Sequence, residues 1–391
     1  MRNKHVLILD ACQRSALAVT RSLGSKGVTV ITADETGSAL AGYSRYSRKY
    51  CTYASPRDAR QAFKSDLIDI CREYDIDIVL PMTELTAAVV MDFREELKGV
   101  ILPFANRETV NSLADKCSLM RLAQSLDVPT PTTRYMQPND VFIMEKSQSF
   151  PLVMKPGKSW MKINGVWVHT CVRIADTESK ALEILANDPA FRTDAYMLQE
   201  YIPGTGAGVF ALYDHGEPLA FFAHKRLREK PPRGGVSVVS ESATIDPVLR
   251  DFAQKLLDAV KWHGVAMVEF RISEDGRPYL MEINTRFWGS LQLAVDAGAD
   301  FPWLLYLVTC EQPVQALPSF KTGQKLRWLL GDLDSLDLLL RDPTYTIREK
   351  LRATTRFLAI DPLKTRHEVN RWDDLRPFQW ELKKYLKDLV S

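Results

Sequence analysis

The chain has 391 residues, 46% apolar and 26% charged, and its 51 basic and 49 acidic residues leave a net charge of +2. That length suits two or three domains rather than one small core. So even a charge balance, with no run of more than two Lys or Arg, excludes a dedicated nucleic-acid binder, and the apolar content excludes disorder.

The first hundred residues alternate strand and helix. His5 to Leu9 is a short apolar run ending at Asp10. After Arg2 and Lys4 it is too short for a signal-peptide core. Arg14 to Lys26 has helical spacing and stops at Gly27. Val28 to Thr32 is β-branched and leads to Asp34, Lys64 to Tyr74 is a second helix, and Ile76 to Pro81 is a buried strand. This repetition predicts a parallel sheet with crossover helices, with a place for a small ligand at the carboxyl ends of its strands. The turn Asp10 to Ser15 lacks the glycines of a dinucleotide fingerprint, which argues against a nicotinamide dehydrogenase.

Asn106 to Asp127 reads as a helix, followed by the extended connector Val128-Pro-Thr-Pro-Thr132. Strand-like runs follow at 151–156, 196–202, 208–213, 218–226, 265–272 and 278–284. After Pro318 the pattern turns helical, clearest at 336–341 and 380–390. The apolar stretch Phe301 to Cys310 is about half the length a membrane span needs. Six scattered cysteines with no C-x-x-C argue against disulfides and zinc. A cytoplasmic protein with no membrane and no nucleic-acid partner is expected. Three blocks result, 1–105, 106–318 and 319–391. Trp328, Trp372, Phe378 and Trp380 in the last read as helix packing or a homodimer contact.

The most informative stretch is Val265 to Ile272, Ser273-Glu-Asp-Gly-Arg277, then Pro278 to Asn284. A two-residue hairpin turn at Asp275-Gly276 pairs Ile272 with Tyr279, Phe270 with Met281 and Val268 with Ile283 on an apolar face. The opposite face then holds Glu269 directly across from Glu282, with Asn284 two residues beyond. Facing carboxylates destabilise a sheet unless a cation lies between them. Two carboxylates and an amide oxygen suit a hard divalent cation carrying phosphate, and Arg286 adds a guanidinium for that phosphate. The alternatives are that both acids face bulk solvent or that Arg271 and Arg277 neutralise them.

Lys155 ends the apolar strand Pro151 to Pro156, directly before the loop Gly157-Lys-Ser-Trp-Met-Lys-Ile-Asn-Gly165. A lysine there suits phosphate contact, with the loop as a lid. Lys116 alone reads as an exposed helical lysine. His224-Lys-Arg-Leu-Arg228, running into Arg233-Gly-Gly-Val-Ser237, places His224, Arg226 and Arg228 on one face. Arg226 is the leading candidate there to bind an acyl phosphate, a γ-phosphate or a substrate carboxylate, with Arg228 and Ser237 behind it. Trp288-Gly-Ser290 opens a helix, Gly289 to Ala297, whose amino end faces an anion or simply caps.

In order, Lys116, Lys155, Gln199-Glu-Tyr-Ile-Pro-Gly204 and Glu269…Met281-Glu-Ile-Asn-Thr-Arg286 resemble the ATP-grasp superfamily, in the branch of carboxylate–amine ligases related to the carbamoyl-phosphate synthase large chain. The resemblance covers roughly residues 1–310. It implies a mixed α/β and α+β chain: a Rossmann-like pre-ATP-grasp domain (1–105), a two-lobed ATP-grasp domain (106–318) hinged near 199–204, and a helical C-terminal extension (319–391). It further implies that Lys116 and Lys155 touch ATP phosphates and that Glu200, Tyr201 and Ile202 give backbone contacts to adenine. Glu269, Glu282 and Asn284 would hold Mg²⁺ (or Mn²⁺), and Arg286 would stabilise the transferring phosphoryl group. The implied reaction joins a small-molecule carboxylate to an amine through an acyl phosphate. A bicarbonate-phosphorylating enzyme and a catalytically silent nucleotide binder are the alternatives. The acid that often follows the hinge to bind ribose is missing from Gly204 to Gly208.

Overall fold

The computed structural model describes residues 4–138, 140–144, 149–232, 235–317, 319–359, 361 and 364–390. Arg2, Arg233, Gly234 and Pro318, used above, lie outside the described residues.

Strands β1 (Val6–Ile8), β2 (Val30–Asp34), β3 (Ser47–Thr52) and β4 (Ile78–Leu80) form a parallel sheet in the order β3-β2-β1-β4. Helices α1 (Arg14–Gly24) and α2 (Arg60–Glu73) cover it, and α3 (Glu84–Met91) follows β4. β1, β2 and β4 are buried along their whole length, which is why they read as unbroken apolar runs. β3 is an edge strand of sequence SRKYCT with exposed charges, so its composition does not announce a strand. The acids at the strand ends are committed to the fold. Asp10 accepts from the Met82 and Thr83 amides at 2.9 and 2.8 Å and from the Thr86 hydroxyl, while Asp34 accepts from the Cys12 amide. The place expected there for a small ligand stays open beside them, since Arg14 after β1 and Glu84 after β4 line cavities.

The expected helix 106–127 is two helices, α4 (Arg107–Ala114) and α5 (Lys116–Ser125). Asp115 breaks it, because its carboxylate caps α5 by accepting from the Ser118 amide at 2.7 Å. Lys116 is therefore the first residue of a helix, and it is buried.

A four-stranded antiparallel sheet follows, from β5 (Thr133–Met136), β6 (Leu152–Pro156), β9 (Arg173–Ala175) and β10 (Tyr196–Glu200), in the order β5-β10-β6-β9. The expected lid loop is itself a hairpin, β7 (Trp160–Ile163) with β8 (Val166–His169). α6 (Glu178–Asn187) and α7 (Ala190–Thr193) precede β10.

The third sheet runs β15-β14-β11-β12-β13-β16-β17. Its members are β11 (Gly204–Asp214), β12 (Glu217–Lys230), β13 (Val236–Ser242), β14 (Gly264–Ser273), β15 (Pro278–Asn284), β16 (Lys325–Arg327) and β17 (Thr365–His367). Val209, Ala211, Val268, Phe270 and Ile283 pack on α5 and on α8 (Pro247–Ala259). The alternate residues Phe210, Phe222 and Met267 face α1, α9 (Leu291–Asp296) and α10 (Phe301–Thr309). Past this apolar patch the same face carries Gly208, His224 and Glu269, which pair across neighbouring strands.

The chain after residue 318 is helical in α11 (Leu329–Arg341), α12 (Ile347–Leu358) and α13 (Arg376–Val390), and β16 and β17 extend the third sheet. Arg21 of α1 is buried against this segment, donating to Asp374 Oδ2 and to the Glu368 and Val369 carbonyls at 2.8 Å each. Phe378 and Trp380 pack against the core that includes α1, α9 and α10, whereas Trp372 is exposed. Among the described residues no helix is long and apolar enough to cross a membrane.

Candidate active site

The β14–β15 hairpin reaches the expected facing carboxylates by a different route. Its loop is three residues, Glu274-Asp275-Gly276, with Gly276 at φ +84°, and Ser273 pairs with Arg277 through a 2.9 Å amide bond. This shifts the register by one, so Phe270 pairs with Leu280, Arg271 with Tyr279 and Ile272 with Pro278. Met281 is then an extra residue, a bulge that restores the register. Beyond it Glu269 stands opposite Glu282 and Val268 opposite Ile283. The odd loop would have turned Glu282 into the core, and the second odd insertion cancels it.

The cations around these acids are not Arg271 and Arg277. Arg271 Nε donates to the Ile202 carbonyl at 2.7 Å, and Arg277 lies over the Tyr279 ring. Arg226 Nη2 instead donates to Glu269 Oε2 at 2.9 Å, and Asn284 Nδ2 donates to Glu269 Oε1 at 3.0 Å. Lys116 Nζ lies 3.5 Å from Glu282 Oε2 and donates to Ser159 Oγ at 3.1 Å. Lys155 is buried with its Nζ 3.8 Å from the Met281 sulfur, so the bulge residue also faces the site. Burial lowers the Lys155 ammonium to about 8, against the pull of Glu282. Burial and the neighbouring Glu282 raise Glu269, with Arg226 opposing. Burial also pushes Glu282 upward, but Lys116 and Lys155 outweigh it and hold the carboxyl below its ordinary value.

Glu269, Glu282 and Asn284 line one cavity of about 380 Å³ with Arg226 and Arg286. Its donors are carboxylate and amide oxygens, the set a hard divalent cation takes, and the two acids converge from adjacent strands. The residues therefore fit Mg²⁺. Arg286 also lines an 820 Å³ cleft between α3, α4 and the β7–β8 hairpin, so it stands where the two spaces meet. In that hairpin Trp160 and Trp167 pack against the core between the parallel sheet, α2 and α3.

Of the residues expected at a hinge, Glu200 accepts from the Thr132 amide and hydroxyl at 2.8 and 3.0 Å, and its own amide donates to the Thr132 carbonyl. Tyr201 is exposed and Ile202 buried. Gly204, the first residue of β11, has φ +146°, and a Cβ there would lie 1.9 Å from the Ile272 carbonyl oxygen. Arg228 is not brought to the site. Bulges on either side of it redirect the strand, and its guanidinium donates to both Asp332 carboxylate oxygens at 2.6 Å. Ser237 does line the cavity. The helix expected from Gly289 is only α9, six residues long, which is too short to offer its amino end as an anion site.

Sequence reasoning passed over Arg14 and Met281, and gave His224 and Trp288 no role of their own. Arg14, His224 and Trp288 line the cavity. Burial and Arg226 hold His224 neutral, its imidazolium pKa lowered to about 3. Asp-x-x-Ser at 115–118 was the available signal for a helix start at Lys116.

Residues 192–331 match the family described as "ATP-grasp in the biosynthetic pathway with Ter operon". A D-alanine–D-alanine ligase from Aquifex aeolicus (strain VF5) is 21% identical over 221 residues, covering 53% of this chain and 72% of its own. The crystal structure of an L-amino acid ligase from Bacillus licheniformis superposes with a TM-score of 0.62 at 18% identity, over 83% of this chain and 79% of that one. Biotin carboxylase from Campylobacter jejuni, solved as a β-γ-ATP complex, gives 0.65 at 16% identity, over 82% and 74%. Over residues 192–331 the chain thus matches an ATP-grasp family, and its fold is similar to those of this ligase and this carboxylase.

Proposed function

We propose that the protein is an ATP-dependent ligase that activates a carboxylate as an acyl phosphate and joins it to an amine, releasing ADP and phosphate. The observation that carries this reading is the pairing of Glu269 with Glu282 inside a ring of Lys116, Lys155, Arg226 and Arg286. Facing acids enclosed by so many cations suit a metal–polyphosphate, whose charges complement both sets at once.

In this reading Glu269, Glu282 and Asn284 hold Mg²⁺, which supplies neutralisation of phosphate charge. Lys116 and Lys155 contact the phosphates, and the segment Glu200, Tyr201 and Ile202 meets adenine. Arg286 and Arg226 stabilise the transferring phosphoryl group and the acyl phosphate. The substrate carboxylate oxygen attacks the γ-phosphorus as the bond to ADP breaks. The amine then attacks the acyl carbon, phosphate leaves, and the amine gives up a proton. The protein contributes position and electrostatics to both steps. The packed β7–β8 hairpin keeps water from the acyl phosphate.

The test supplies Mg-ATP with carboxylic acids, bicarbonate included, and with amines, following ADP and phosphate. Hydroxylamine should intercept the acyl phosphate as a hydroxamate. Nucleotide-dependent thermal stabilisation without turnover on any acid would instead mark a silent binder.

A further inference from the structure

One end of the cavity beside Glu269 is left unused by the phosphate chemistry. Its wall is aromatic: the rings of His224 and Trp288 pack on Phe210 with centroids 4.8 and 4.3 Å away. His224 Nδ1 and Trp288 Nε1 are buried without a hydrogen-bond partner among the described residues. Leaving a buried polar group unpaired is costly to a fold. Both residues line this cavity, so two groups in want of a partner stand beside it.

Arg14 closes this end from the start of α1. Its Nη1 donates to Glu368 Oε2, and its guanidinium lies 4.1 Å from the centroid of the Trp328 ring. Its Nη2 lies 3.4 Å from the point where a Cβ on Gly289 would stand, so that end of the fork sits at the cavity wall. Glu368 is buried, and Trp328 is fixed in turn by donating its Nε1 to Glu381 at 2.8 Å. The segment after residue 318, given no chemistry by its sequence, thus holds one face and one edge of a cavity-lining arginine.

We propose that Arg14 anchors a carboxylate of the substrate at this end of the cavity, with Trp288 and His224 completing its hydrogen bonds and with Glu368 and Trp328 positioning the guanidinium. This rests on the ligase reading and deepens it. The substrate is an organic anion whose flat or apolar body lies against His224 and Trp288. A planar two-pronged donor matches a carboxylate in a way an ammonium does not.

A hydroxamate screen with Mg-ATP over free carboxylic acids, amino acids included, first identifies an accepted acid. Wild type is then compared with Arg14→Met, Arg14→Lys and Glu368→Gln. Arg14→Met should raise KM for the acid about a hundredfold and leave KM for ATP within about twofold. Arg14→Lys should recover part of the loss, and Glu368→Gln should raise KM for the acid with kcat retained, as expected of a positioning residue. An unchanged acid KM in Arg14→Met, or an equal rise in KM for ATP, overturns the assignment. Should Mg-ATP stabilise wild type while no acid is converted, the ligase reading itself fails and this one falls with it. The two failures therefore appear in different proteins, the second in wild type and the first only in the variants.

Discussion

Glu269 and Glu282 stand directly opposite one another on adjacent strands, yet the protein holds their protons in opposite senses. Glu269 is raised by burial and by its partner's charge. Glu282 is lowered because two lysines outweigh the same burial. One acid is kept short of neutralisation and the other oversupplied.

This asymmetry sets a pH dependence. Glu269's folded-state pKa lies above its ordinary value of 4.5, so its contribution to stability is present below that value and lost as pH rises through the raised one. Glu282 contributes in the opposite sense, its share present above 4.5 and lost as pH falls through the lowered value. In magnesium-free melts from about pH 4 to about pH 8, wild type should lose stability relative to Glu269→Gln as pH rises. Parallel curves would show that Glu269 is not strained.

Activity should move the other way. Glu269→Gln and Glu282→Ala should each cut Mg-ATP turnover by about a hundredfold or more while the protein stays folded by circular dichroism. In Glu269→Gln, easing the like-charge pair favours the fold at the expense of the site. Unchanged turnover in Glu282→Ala would remove it from the metal site.

Lys155 offers a nucleotide-specific signal. With its ammonium lowered to about 8, it is partly deprotonated near that pH, and a polyphosphate beside it restores the charge. Titration calorimetry with Mg-ATP near pH 8, in buffers of different ionisation heat, should report uptake of up to about half a proton. Lys155→Met should abolish that uptake. Equal uptake in both proteins would place the phosphates elsewhere.

The buried pair Arg21–Asp374 carries a stability prediction free of catalysis. Asp374→Ala leaves the Arg21 guanidinium buried without its carboxylate. It should cost about 3–5 kcal/mol in denaturant unfolding. A loss below about 1 kcal/mol would mean the guanidinium reaches water as an exposed pair does.

How much of this was legible in the sequence depended on the range of the cause. The parallel strands showed because β1, β2 and β4 are buried throughout, and β3 did not because an exposed edge carries Arg48 and Lys49. The opposition of Glu269 and Glu282 followed from side-chain alternation, although Asp275-Gly276 belongs to a three-residue loop and the register survives only through the Met281 bulge. Two local departures cancelled, and alternation alone shows neither. Lys116 looked like the middle of a long helix because a capping Asp can also sit within one. The Arg14 environment left no local trace, since the residues that shape it lie hundreds of positions away.

Arg21 leaves the ribosome some 353 residues ahead of the carboxylate that satisfies it. Until then the face of α1 that meets the C-terminal segment has a cationic group ready for burial and no counterpart. The segment carrying α1 is therefore born incomplete, and its final docking must wait until Asp374 has been synthesised.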